Sequence, residues 1–212
     1  MPPRQFFPES LRQTDTQLNL TTLRVHHDCN CSYQKDEDYF VWAIGPVAAE
    51  TRSGAGLWTD LSRQTDRPQG RALLRKSFKE MLFPDRPIRL PGGRMPKKFD
   101  GERVWRIIWK IVRGVFYVET KRVLPIDTPH FCDSVGTADD VPPELYRVLA
   151  SEPAMGEHPE VFSYRMRRLE TDEGVMWAVG LQFWAYIVFL MAFVDPDSRI
   201  GVCLDPSSTP GE

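Results

Sequence analysis

His26-His27-Asp28-Cys29-Asn30-Cys31-Ser32-Tyr33-Gln34-Lys35-Asp36-Glu37-Asp38-Tyr39-Phe40 concentrates imidazoles, thiols, amides and carboxylates within fifteen positions, and its reading decides how the chain folds. The spacing His26-x-x-Cys29 suits two ligands of a tetrahedral metal on a tight knuckle. A helix is expected directly after it, over residues 30–45. Asn30 and Ser32 are good cap residues, and Asp36, Glu37 and Asp38 fall in the early turns, where the helix dipole favours acids. Tyr33, Phe40 and Ile44 recur at near-helical spacing, Trp42 adds bulk, and Gly45-Pro46 is the expected stop. Each group also has a plainer reading. Cys31 suits a small apolar packing role. Lys35 to Asp38 suit a solvated helix face. A two-ligand knuckle needs two more ligands before it holds zinc, and the sequence offers no nearby pair.

On the N-terminal side, Pro2, Pro3 and Pro8 give a proline-rich lead into a segment with apolar Leu18, Leu20, Leu23 and Val25. Thr21-Thr22 favours extended backbone there, so a strand or hairpin is expected. Asn19 lies in this segment. Taken alone it reads as a turn residue.

The same residues carry a family resemblance. Cys29-Asn30 and Lys35-Asp36-Glu37-Asp38-Tyr39-Phe40 resemble the closing half of the HNH endonuclease motif, the ββα-metal finger, in the subgroup ending Cys-x-x-Cys-Asn then Lys-Asp-Glu-x-Tyr-Phe. His26 falls where the family has the preceding cysteine. Pro2-Pro3-Arg4-Gln5-Phe6-Phe7-Pro8 resembles the family's stretch at and after Asp-His-Val-Pro-Pro, with Met1 at the valine. The likeness covers residues 1 to about 45. It implies metal-dependent hydrolysis of a DNA phosphodiester, with a divalent ion (magnesium or similar) and a structural zinc. Under it, Asn30, His26 and Cys29 are metal-site residues and Asn19 steers the general base. The base histidine and the upstream Cys-x-x-Cys have no counterpart in these residues. The expectation is therefore a chain beginning inside the motif, such as a start assigned at a valine codon, that is nearly inactive as it stands.

Further along, Gly54, Gly56, Ser53 and Ser62 make residues 46–66 loop-like. A helix is expected from Asp66-Arg67-Pro68 to about Phe83, with Leu73, Leu74, Phe78, Met81 and Leu82 on one side and Arg71, Arg75 and Lys79 on another. Ile88-Arg89-Leu90 suits a short strand, and Pro91-Gly92-Gly93 a turn. Asp100 caps the strongest helix, about 101–120. Val104, Ile108, Ile111, Val115 and Val118 step by four and three, beside a cationic stripe of Arg103, Arg106, Lys110 and Arg113. That stripe is either solvated or a phosphate track, hence a candidate nucleic-acid-binding face. Residues 125–160 are rich in proline and read as loop with a short helix at about 142–150. His130, Cys132 and His158 have no ligand spacing and read as surface loop residues.

Phe162, Tyr164 and Met166 alternate with Ser163, Arg165 and Arg167 as in a half-buried strand, and Thr171-Asp172-Glu173-Gly174 is a turn. Val175 to Val194 carries no charge for twenty residues, long enough to cross a membrane as a helix. Its β-branched and aromatic content and its acidic flanks favour two strands meeting near Gly180-Leu181-Gln182, and no membrane partner. Residues 195–212 read as a disordered polar tail.

The 212 residues have a net charge of −2, but the charge is uneven. Residues 63–125 hold 17 Lys/Arg against 6 Asp/Glu, and residues 126–212 hold 5 against 15. Such asymmetry can mark a nucleic-acid surface, and it equally suits solvated helix faces. Four cysteines make no disulfide framework in a chain this long, and with no apolar leader the default is a reducing cytoplasm. The expected fold is α+β: a partial ββα finger (1–45), a linker (46–66), an accessory domain (67–194) with a helix-rich middle and a C-terminal antiparallel β region, then the tail. The functional alternative to a nuclease is a non-catalytic module binding nucleic acid or protein.

Overall fold

In the computed structural model, residues 4–14, 22–79, 100–135, 143–172, 174–185 and 187–198 are described. The helices are α1 (Glu9–Thr14), α2 (His27–Ala48), α3 (Arg52–Gln64), α4 (Pro68–Lys79), α5 (Gly101–Thr120) and α6 (Pro143–Ala150). The strands are β1 (His130–Val135), β2 (Met155–His158), β3 (Phe162–Thr171), β4 (Gly174–Phe183) and β5 (Ile187–Val194). They form one antiparallel sheet in the order β1-β5-β4-β3-β2. The α+β class expected from the pattern of elements is the class observed.

The core arises where period-2 alternation on the strands meets period-3.6 faces on the helices. Leu181, Phe183, Phe189, Met191 and Phe193 join Tyr39, Phe40 and Ile44 of α2 and Ile107, Ile108, Ile111 and Phe116 of α5 in one buried apolar cluster. Phe6 and Phe7 of the proline-rich lead belong to it, as do Leu57 and Leu61 of α3. Residues from both sides of the expected 46–66 linker therefore share one core. On the other sheet face, Ala178, Val188 and Leu190 pack with Leu149 of α6.

Several elements differ from the sequence reading, each for a local reason. The expected loop over 46–66 is largely helix α3. Thr51 caps it, its hydroxyl accepting from the Gly54 amide at 3.1 Å. Helix α2 runs through Gly45-Pro46 to Ala48 instead of ending there. At Gly45 a Cβ would come within 2.7 Å of Leu61 Cδ1, so that glycine serves the close approach of α3. Gly180 is not in a turn. It lies mid-strand opposite Leu190, and an added Cβ would stand 3.1 Å from Leu149 Cδ1, where α6 crosses. The hairpin reverses instead at Trp184 and Ala185, with φ of +49° and +55°. The turn at 171–174 is where it was expected, with Gly174 at φ +126°. His130 and Cys132 are in β1 and His158 is in β2, where loop was expected. No strand precedes α2 among the described residues, and residues 22–26 have no regular structure. The strand expected at 88–90, the turn at 91–93 and Asn19 lie outside the described residues. Residues 175–183 and 187–194 are strand, and no helix among the described residues is long and apolar enough to cross a membrane.

The expected tail also begins with order. Asp195 is 5% exposed, directly after β5. Its carboxylate accepts from Arg122 Nη2 at 2.6 Å, Arg122 Nη1 at 3.1 Å and Trp177 Nε1 at 2.7 Å. The Arg122 hydrogen bond, helped by those from Trp177 and the Asp197 amide, holds its carboxyl down at about 2, below the ordinary 3.8. A folded pKa below the unfolded one adds stability that is complete above about pH 4 and is lost as pH falls through 2. The expected size is roughly 2 kcal/mol. Urea midpoints from pH 5 to 2 should fall along that window in the native protein and flatten in Asp195→Asn. An unchanged slope in the variant would mean that other carboxylates carry the acid sensitivity.

Candidate functional site

Helix α2 is two different helices end to end. Its C-terminal half, from Tyr39 to Gly45, is buried throughout. Its N-terminal turns stand in solvent: residues 24–32 are all exposed. The exposed end carries the metal-capable groups and the buried end anchors it.

The His26-x-x-Cys29 spacing proves to be the opening of the helix, not a knuckle ahead of it. His26 is the N-cap residue, without a side-chain cap bond, and its carbonyl accepts from the Asn30 amide at 3.0 Å. Cys29 is exposed in the first turn. One turn on, Cys31 Sγ lies 3.5 Å from Nε2 and 3.7 Å from Nδ1 of His27, so the sulfur sits beside the ring and not in line with one nitrogen. Asn30 Oδ1 accepts from the Lys110 ammonium at 3.0 Å. A cation at that oxygen would compete with Lys110.

These positions test whether the residues fit the implied metals. A structural zinc takes four ligands. His26 and Cys29 offer two, and no group of three or more His, Cys, Asp or Glu side chains able to hold a metal occurs among the described residues. The described residues do not make a metal site on their own.

The cationic stripe of α5 faces α2. Arg103 Nε donates to Asp36 Oδ1 at 2.7 Å and Arg106 Nη1 donates to Asp36 Oδ2 at 2.6 Å, so one carboxylate is forked between two guanidinium groups. Arg103 Nη2 also donates to the Lys35 carbonyl at 2.5 Å, and Arg106 Nη2 to Ser32 Oγ at 3.1 Å. Lys110 adds Glu37 Oε1 at 2.5 Å to its contact with Asn30. Arg113 Nε donates to the Leu124 carbonyl at 2.7 Å. Tyrosine rings complete the interface: Arg106 lies 4.6 Å over Tyr33, Arg103 4.4 Å over Tyr39, and the Tyr39 hydroxyl accepts from the Asp100 amide at 2.8 Å.

Every polar residue of Lys35-Asp36-Glu37-Asp38-Tyr39-Phe40 but Asp38 therefore has a described partner on or beside α5, through side chain or backbone. Asp38 differs: it is half-buried, and burial, together with the neighbouring Glu37, raises its carboxyl above the usual range. Neither the role of Asp36 nor the want of a hydrogen-bond partner for Asp38 among the described residues was visible in the sequence.

No protein-family model, no curated protein and no solved structure matches this chain. The HNH resemblance rests on the motif residues alone.

Proposed function

We propose that this chain is an HNH-endonuclease-like protein, with α2 as the helix of the metal finger. The reaction class is metal-dependent hydrolysis of a DNA phosphodiester. The supporting observation is the polarity of α2: the Tyr39-Phe40 end of the motif is buried, while His26, Cys29 and Asn30 at the other end are open to solvent. A finger helix needs that division, because its far end must be rigid and its near end must meet substrate. The reaction also needs a group to activate water, and no histidine precedes His26 in these 212 residues. Loss of such a base lowers rate by about two to four powers of ten.

The expected result is no detectable nicking of supercoiled plasmid by this polypeptide with magnesium or manganese. Nicking should appear when a segment ending Cys-x-x-Cys…Asp-His-Val is joined ahead of Pro2. Reading the in-frame DNA upstream of the Met1 codon is the cheapest companion observation. Metal-dependent nicking by the unextended polypeptide would refute the missing base. Inactivity of the extended form, shown to be folded and metal-loaded, would refute the nuclease reading.

A second reading, nucleic-acid binding without hydrolysis, is favoured by α4. Arg71, Arg75 and Lys79 recur every fourth residue on its exposed side, with no ion pair among the described residues. Binding through them should weaken steeply with salt and ignore sequence.

A further inference from the structure

A pocket of about 250 Å³ opens between the Arg4–Phe6 turn, α2, α3 and the start of α4. It is smaller than the clefts of roughly 300–1,000 Å³ that hold drug-sized ligands. Its rim combines one acid, one base and carboxamides: Asp38, Arg67 and the glutamines Gln5, Gln34, Gln64 and Gln69. Its floor is apolar, formed by Val41, Leu61 and Leu73 with Trp42.

Asp38 accepts no hydrogen bond and makes no ion pair among the described residues, whereas Asp36 two positions earlier is forked between two arginines. A half-buried carboxylate that accepts no hydrogen bond lowers stability unless something else compensates it, and the charge of Arg103 offsets its burial only in part. Asparagine would fill the same space without that penalty. Arg67, also without an ion pair among the described residues, supplies the opposite charge in the same lining, and the glutamines offer both donors and acceptors.

We propose that this pocket binds a free α-amino acid, its ammonium against Asp38, its carboxylate against Arg67 and its side chain over the apolar floor. The alternatives fit less well. A divalent cation wants several charged oxygens and no guanidinium beside it. A phosphate would have one guanidinium in its favour and the Asp38 carboxylate against it. A zwitterion is the small species that satisfies both charges at once.

The test uses the full chain and free L-α-amino acids as probes, one at a time, up to about 10 mM, which exceeds the dissociation constants expected for so small a ligand. Thermal unfolding and calorimetry are read together. At least one amino acid should raise the melting temperature saturably, while its methyl ester and its N-acetyl derivative do not. Asp38→Asn and Arg67→Gln should each weaken binding by about tenfold or more, the loss of a charged hydrogen bond. Neither side chain makes a hydrogen bond or ion pair among the described residues, so both variants should fold, and Asp38→Asn without ligand should melt no lower than the native protein. Absence of saturable binding by every probe would overturn the proposal. So would equal binding of the ester, or affinity that survives both substitutions.

Discussion

Phe40→Ala is expected to lower the unfolding free energy by about 3–5 kcal/mol, a large part of the 5–15 kcal/mol that domains usually possess. Phe40 is fully buried. Its ring stacks on Phe6 at 5.3 Å, meets Phe183 edge-on at 5.6 Å and leans on Phe189 at 5.9 Å. One side chain thus joins the N-terminal lead, α2 and two strands of the sheet. Removing it leaves a cavity that three elements would have to move together to close, and well-packed cores relax only partly. The melting temperature should fall by about 10 °C or more. Phe40→Leu, which keeps part of the volume, should fall by less. The shape of the transition is equally informative. Residues 1–45 and 67–194 were separable on sequence, but their buried side chains form one cluster. Native protein and variant should therefore unfold in one step by far- and near-ultraviolet circular dichroism alike. Two transitions, or a loss under about 1 kcal/mol, would return residues 1–45 and the sheet to separate units.

How much could be read from sequence depends on how local each signal is. Helix α5 was clear because its apolar residues repeat at three and four over about four turns, and the alternation of Phe162, Tyr164 and Met166 marked β3 in the same way. Helix α3 was missed because Ser53, Gly54 and Gly56 look like loop, although Leu57 and Leu61 already have helical spacing. Gly54 is there for a tertiary reason: a Cβ would lie 1.9 Å from the Ala48 carbonyl oxygen at the α2–α3 corner. Gly180 misled in the same sense, since its small size admits Leu149, while the turn falls to Trp184, whose ring is fully buried. The candidate site divides along the same line. That His26, Cys29 and Asn30 share one short exposed stretch was local information. That Asp36 meets Arg103 and Arg106 was not, because the partners are 67 and 70 residues apart. Charge alternation within α5 cannot distinguish a stripe facing phosphate from one facing a second helix.

Asp36→Ala decides between those two meanings of the stripe. The Asp36 side chain is 12% exposed, and Arg103 and Arg106 are 24% and 46% exposed. Removing the carboxylate leaves two guanidinium groups side by side with their shared acceptor gone. Breaking a fully buried pair in this way costs about 3–5 kcal/mol. Arg106 is nearly half in water and partly rehydrates, so about 2–3 kcal/mol is expected here. Arg103→Ala alone should lose less, because Asp36 keeps Arg106. In the double variant the two losses should not add, with a coupling of about 1–2 kcal/mol measured by urea unfolding. Lys110→Ala should weaken the same interface one turn further on, through Glu37 and Asn30. If the stripe were a phosphate track, the pattern would invert. Arg103→Ala and Arg106→Ala would then leave stability within about 0.5 kcal/mol and reduce nucleic-acid affinity and its salt slope. The fork on Asp36 argues for the first pattern, since a guanidinium whose donors point at a carboxylate on α2 must break that contact before it can meet phosphate. An anion arriving at α5 would have to displace the Asp36 carboxylate that joins the two helices, and the exposed end of α2 would lose that support as the ligand was gained.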